Sequence, residues 1–517
     1  MDMFIKVAML VVFFGVMIGV GVYCRKKSTD VDGFVLGGRS VGPWLTAFAY
    51  GTSYFSAVVF VGYAGQFGWK YGIAATWAGI GNALIGSLLA WAVLGRRTRV
   101  MSQHLGSATM PQFFESRFGS KGLKLAASVV IFIFLIPYTA SLYNGLSRLF
   151  GMAFNIDYSV CVIVMGVLTA VYVIVGGYLA TAINDFIQGL IMLVGIVAVI
   201  GAVLANQGGF MEALNSLSQI SDGAAAEMPG VYNSFLGPDP VGLLGVVLLT
   251  SLGTWGLPQM VQKFYAIKDE KAINKGMIIS TLFALVVAGG CYFLGGFGRL
   301  VTTQEAVDAG GFDSIIPAML SELSPLLIAV VVVLVLSASM STLSGLVMAS
   351  SSTLTLDFIK GTVVKQLSEK KQVLIMRILI AVFIAISTCI AIYQYKVGGA
   401  FIAQLMGVSW GALAGAFLGP FLFGLYWKRA TSASVWVSMI FSSVVMVANI
   451  FWKSAFPAIL QSPINAGVFC MLASLVIVPV VSFVTKPPKK EHVEQVFSCY
   501  DKKVVVSVTD AIGDPVE

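Results

Sequence analysis

The chain has 517 residues, 58% of them apolar and only 11% charged, with a mean hydropathy of +0.90. That balance excludes a soluble globular domain and describes a polytopic, all-α membrane protein. The formal charge of +8 does not mark a nucleic-acid binder, because the Lys and Arg residues sit in short segments between apolar stretches, which is a topology signal.

Thirteen apolar stretches are each about long enough to cross a bilayer. They run over 3–24, 44–67, 74–95, 122–150, 157–178, 184–206, 240–263, 276–300, 325–353, 373–394, 399–425, 431–452 and 465–485, numbered here as spans zero to twelve. The first begins with Asp2 and reaches Cys24 without a small-residue cleavage site, so it reads as a retained helix rather than a signal peptide. With the N-terminus outside, the inside segments carry 26 of the 32 Lys and Arg residues. That asymmetry predicts an odd number of spans and a cytoplasmic C-terminus. The longest outside loops, 207–239 and 301–323, have room for short surface helices. The charged tail, 486–517, is expected to carry little structure. Six scattered Cys show no metal or redox spacing, and His104 and His492 both fall outside the spans.

Two spans are interrupted. Span one contains Tyr50-Gly51-Thr52-Ser53-Tyr54-Phe55-Ser56, and span six contains Ser251-Leu252-Gly253-Thr254-Trp255-Gly256-Leu257-Pro258. Five spans apart, they enter the membrane from opposite sides. Broken helices at matching places in two halves point to a transporter site, where freed carbonyls suit a cation and a half-helix N-terminus suits an anionic group. Gly and Pro also make ordinary kinks in membrane helices.

Span eight starts as Val and Leu, then presents Ser337, Ser339, Ser341, Thr342 and Ser344. Hydroxyls at bilayer depth must face protein or a cavity. Ser337, Ser341 and Ser344 share one side of a helix, and helical spacing would let the Ala338 carbonyl point into the same corner. Such neutral oxygens suit Na⁺. The same residues also suit helix–helix packing, and span eight alone does not choose. Packed beside the break in span one, the Ser341 and Thr342 hydroxyls and the Ala338 carbonyl would meet carbonyls freed near Thr52 and Phe55.

Four segments resemble the sodium:solute symporter family. They are Gly37-Gly38-Arg39-Ser40-Val41-Gly42-Pro43; Gly176-Gly177-Tyr178-Leu179-Ala180-Thr181-Ala182-Ile183-Asn184-Asp185-Phe186-Ile187-Gln188; Met340 to Asp357; and Gly415-Ala416-Phe417-Leu418-Gly419-Pro420 followed by Trp427. The resemblance implies a five-plus-five inverted-repeat, LeuT-like core. Its first repeat would span 44–206 and its second 240–425. A leading helix, 1–24, two trailing helices, 431–485, and the tail, 486–517, complete the chain. It implies a sodium site at Thr52, Phe55, Ala338, Ser341 and Thr342. It also implies a second or transit sodium site at Asp185 and Ser344, although Gly345 stands where a further hydroxyl would complete that site. An acid at the N-terminal end of span five is equally what a helix dipole favours.

By position in that architecture, the solute pocket draws on Ser53, Tyr54, Ser56, Phe60, Tyr143, Trp255, Pro258, Gln259, Gln404 and Trp410. Proline-type members carry an acid where this chain has Tyr54, and sugar-type members a glutamate on span two where this chain offers Asn82. The function implied is sodium-coupled import of a small organic solute, such as an amino acid or monocarboxylate, across the plasma membrane. The alternatives are a proton-coupled carrier or a membrane solute sensor on the same core. No H-E-x-x-H, G-x-S-x-G or paired intramembrane acids point to an enzyme, and no acidic ring points to a channel. The expected partners are sodium, the solute and the lipid bilayer, with no nucleic acid; the oligomeric state is left open.

Overall fold

The structure, a computed structural model, describes residues 2–154, 156–364, 366–397 and 402–501. They form helices joined by short loops, as a chain must when the bilayer offers its backbone no water. Ten helices are long and apolar enough to cross a membrane, or eleven if the bent pair Pro240–Gly256 and Pro258–Ala266 counts as one span. Two of the ten, Val58–His104 and Tyr158–Asn206, are 47 and 49 residues long, about twice what a bilayer needs. Each contains a glycine of positive φ. Gly72 has φ +62°, and Gly177 has φ +60° with ψ −157°. Divided there, the two runs match the separate stretches that the hydropathy pattern expects for spans one and two and for spans four and five.

Both expected interruptions are present. The first helix of span one, Pro43–Tyr54, ends at an extended Phe55 (φ −87°, ψ 114°), and helix resumes in a wide turn at Val58–Tyr63. In span six, Leu257 is extended (φ −81°, ψ 124°) and the two halves meet at 49°. Pro258 explains the second break, because it donates no N–H to the preceding turn and disfavours helix at Leu257.

Spans eight and ten are the most enclosed and the leading helix the least. Small residues let the central helices touch backbone to backbone. A Cβ added at Gly68 would lie 2.0 Å from the carbonyl of Gly295 on span seven, and one added at Gly189 would meet the side-chain ring of Phe48 at 2.3 Å.

The segment before span one is tied to the end of span six. Val41 N–H donates to Ala266 O at 3.3 Å, and Lys268 N–H donates back to Val41 O at 3.1 Å. Arg39 donates to Ser107 O at 2.6 Å, and Arg99 to Ile267 O at 2.5 Å. Burial pulls the Arg39 guanidinium below its ordinary value, and Asp32, 3.6 Å away, opposes that shift.

The tail corrects one expectation. Lys490–Phe497 is a helix that buries Val493, Val496 and Phe497. It docks on the connection between spans two and three, where His104 Nε2 meets Gln495 O at 2.9 Å and Arg97 stacks on Tyr500. The three apolar residues at helical spacing outweigh the charged composition. Residues 502–517 lie outside the described residues.

Candidate functional site

The interruption of span one and the hydroxyl cluster of span eight face each other. Ser341 Oγ lies 3.1 Å from both Thr52 O and Ala338 O. Thr342 Oγ1 lies 3.1 Å from Thr52 O, 3.1 Å from Ala338 O and 3.3 Å from Phe55 O. Thr52, Ser341, Thr342 and Ala338 are fully buried, and Phe55 is 1% exposed. The five expected oxygens therefore form one cluster of three carbonyls and two hydroxyls.

The local causes are clear. An extended Phe55 interrupts the helical ladder, which frees carbonyls of the last turn. The Ala338 carbonyl has a second lone pair beyond its helical bond. A hard cation of this size class sits about 2.3–2.6 Å from each oxygen, so neighbouring ligands stand a little over 3 Å apart. The cluster needs only slight widening to hold one.

Other hydroxyls of span eight behave differently. Ser339 bonds Val335 O, Ser344 bonds Ser341 O, Ser351 bonds Met348 O and Ser352 bonds Ala349 O, each on its own helix. Ser341 and Thr342 instead reach carbonyls of a different, broken helix. The first group is satisfied on its own helix, whereas Ser341 and Thr342 join two helices, an arrangement that serves helix–helix packing and a cation site alike.

The expected pocket residues divide into two groups. Around Gly345 the nearest atoms to an added Cβ would be Ser53 Oγ at 3.5 Å and Gln259 Cβ at 3.9 Å. Gln259 is 1% exposed, and neither amide atom has a hydrogen-bond partner. Ser56 Oγ accepts from Val58 N–H at 3.2 Å and so caps the resumed helix. Trp410 is fully buried, packs edge-on against Tyr138 at 6.0 Å, and has an unpartnered Nε1. Pro258 opens the second half of span six. Phe60 is buried within the wide turn, and Gln404 is half-buried near the start of span ten.

Two expected residues make contacts with other spans. Trp255 donates its Nε1–H to Ile85 O on span two at 3.0 Å, which pins span six to span two. The Tyr143 hydroxyl lies beside Gly166 of span four; Gly145 is the span-three residue against Ala57 in the break. The side chain of Tyr54 lies outside the described residues. Asn82, weighed as a sugar contact, reaches Thr250 and Ser251 in packing between spans two and six.

Asp185 departs most from expectation. The helix of span five resumes just after Gly177, so Asp185 lies two turns inside it, too deep for a first-turn dipole acid. Its carboxylate is fully buried and faces Lys263, with Nζ 3.7 Å from Oδ2. Ser344, expected beside it, bonds within its own helix. Lys263 had the appearance of a loop cation, because hydropathy ended span six there. It is 2% exposed inside Pro258–Ala266.

A family model described as the sodium:solute symporter family matches residues 34–442. The chain belongs to that family. Curated relatives include the sodium/proline symporters of Staphylococcus aureus strains JH9 and NCTC 8325, each 30% identical over 494 residues and covering 93% of either chain. The fold matches that of a Na⁺-coupled sialic acid symporter in a substrate-bound, outward-open state, with a TM-score of 0.73 at 18% identity over 94% of this chain and 99% of the other. It also matches Mhp1, a nucleobase-cation-symport-1 family transporter, with a TM-score of 0.52 at 15% identity over 91% and 99%. As a sodium:solute symporter, the chain is a multi-pass membrane carrier, not an enzyme, and couples Na⁺ to movement of a small organic solute.

Proposed function

We propose that Thr52, Phe55, Ala338, Ser341 and Thr342 bind the coupling sodium, and that the solute sits beside them at the two helix breaks. The observation that carries this reading is the convergence of five oxygens from spans one and eight on one buried point. Ser53, Ser56, Gln259 and Trp410 are the solute contacts, with Tyr138 added to the expected set. The amide of Gln259, the indole N–H of Trp410 and the hydroxyl of Tyr138 supply buried polar atoms that need partners. The N-terminus of Pro258–Ala266 favours an anionic group.

The solute class is a small amino acid or carboxylate. The relatives' names make L-proline the first compound to try, and Tyr54 in place of the proline-type acid is the reason to widen the panel. The halves 44–206 and 240–425 act as the two inverted repeats and rock against each other. The carrier sits in the plasma membrane with its N-terminus outside. Docking of the tail helix beside His104 supports one sidedness for both segments.

The test is thermal stability of the purified protein in NaCl against KCl, with L-proline, other amino acids, short carboxylates and sugars. Binding to the folded state raises apparent stability by mass action. A shift that needs both Na⁺ and one solute class supports the reading. Stability indifferent to Na⁺ throughout overturns the site assignment and favours proton coupling.

A further inference from the structure

Lys263 and Asp185 form an ion pair inside the helical bundle, and symport of one sodium does not by itself require it. Lys263 lies on the half of span six after the break, and Asp185 on span five. They are 2% and 0% exposed, and 3.7 Å separates Nζ from Oδ2. Lys263 also stands 5.1 Å over the ring of Tyr178. Charges at such a place are expensive unless paired. Among the described residues, neither oxygen of Asp185 has a hydrogen-bond partner, although a carboxylate can accept about four. Among the described residues, the Lys263 ammonium is the cation that balances it.

The pair is close to the sodium cluster. Asp185 lies one turn, about 6 Å along the axis, before Gly189. A Cβ at Gly189 would come within 3.1 Å of Thr52 Cγ2, and Thr52 supplies a cluster carbonyl. Tyr172, on the preceding span, donates its hydroxyl to Met340 O, beside Ser341. A carboxylate so placed would attract a second free cation if nothing held its charge.

We propose that the Lys263 ammonium is a tethered cation that takes the place of a second sodium at Asp185, so that one sodium binds per carrier. The tethered charge cannot leave, and the carboxylate needs no ion from solution. Removing the ammonium converts Asp185 into a sodium site. A purely structural pair predicts no such gain. This inference rests on the sodium reading above.

The experiment counts sodium. Equilibrium binding of radiolabelled Na⁺ is measured on purified wild type, Ser341→Ala, Lys263→Met, Lys263→Arg and the double variant Lys263→Met with Asp185→Asn. Wild type and Lys263→Arg are expected to bind one Na⁺ with a Hill coefficient near 1. Lys263→Met should bind about two, with the coefficient rising above 1, and the double variant should return to one. Two sodium ions in the wild type, or one in a folded Lys263→Met, overturn the proposal. Where Lys263→Met folds poorly, its thermal midpoint should rise more steeply with NaCl than the wild-type midpoint, and not with KCl. A midpoint that follows both salts alike overturns it as well. The underlying reading fails separately, by wild type binding no Na⁺ or by Ser341→Ala binding it unchanged.

Discussion

Ser341 and Thr342 show how one hydroxyl differs from another on the same helix. Among the described residues, these two side chains of span eight bond carbonyls of span one. Replacing either with alanine should raise the sodium Kd about tenfold or more, equivalent to about 1.4 kcal/mol. Thr342→Ser keeps the oxygen and should stay near wild type. Sodium-dependent thermal shifts check both, and normal sodium affinity in both alanine variants removes the site. Gln259 makes a prediction of opposite sign for stability. Its amide is buried with no partner, so Gln259→Leu should leave the solute-free protein as stable or stabilise it by about 1–3 kcal/mol. The same change should abolish the solute-dependent shift while sodium binding persists. A destabilised Gln259→Leu that still binds solute would assign that amide to packing. At this scale the sequence was a good guide to the convergence of the five oxygens, because each is fixed by helix spacing and by a visible break. It did not show which contacts the Trp255 and Tyr143 side chains make. Aromatic side chains reach in any direction from a helix, and only the rotation of each span decides which way. Lys263 was hidden because a lysine at the end of an apolar run looks like a loop residue until its partner, 78 positions earlier in the chain, is seen.

The elements owe their shape to a few backbone positions. Gly177 has φ +60° and ψ −157°, a conformation that costs a residue with a Cβ about 1–3 kcal/mol. Its added Cβ would also come within 3.0 Å of Phe34 and Ser28. Gly177→Ala should therefore lower the thermal midpoint in sodium-free buffer and leave the ratio of sodium affinities, mutant to wild type, close to one. Unchanged stability would mean that this turn is freely adjustable. Hydropathy and the Gly-Gly pair located this turn to within a few residues, but they could not show how soon helix resumes. That error displaced Asp185 to a helix start. The breaks in spans one and six were legible because Gly, Ser, Thr and Pro interrupt otherwise apolar runs. The docked tail helix was not, since its three apolar residues are diluted by charge.

For the whole molecule, the question is driving force. One Na⁺ moving down a tenfold gradient yields about 1.4 kcal/mol, and a potential of about 100 mV adds about 2.3 kcal/mol per charge. A single sodium then supports accumulation of a neutral solute on the order of 500-fold. Proteoliposomes with an inward sodium gradient and an inside-negative potential should accumulate the solute well above equilibrium. Collapsing either component should reduce the plateau. A plateau that follows an imposed proton gradient instead would identify the proton as the coupling ion. Coupling also requires that sodium binding favour one orientation of the carrier over the other, and sodium held between a broken helix and a continuous one would supply such a bias.

The contact between Gly68 and Gly295 limits how this chain can vary. A Cβ added at Gly68 would lie 2.0 Å from the Gly295 carbonyl, and one added at Gly295 would lie 2.0 Å from the Ala64 carbonyl. Both obstacles are main chain, which no substitution removes. A larger residue at one position cannot be matched by a smaller one at the other, because both are already the smallest available. Ordinary pairwise exchange is closed to these two sites. Drift there must proceed by separating spans one and seven as wholes, so the two glycines should tolerate no side chain in directed-evolution libraries that preserve transport.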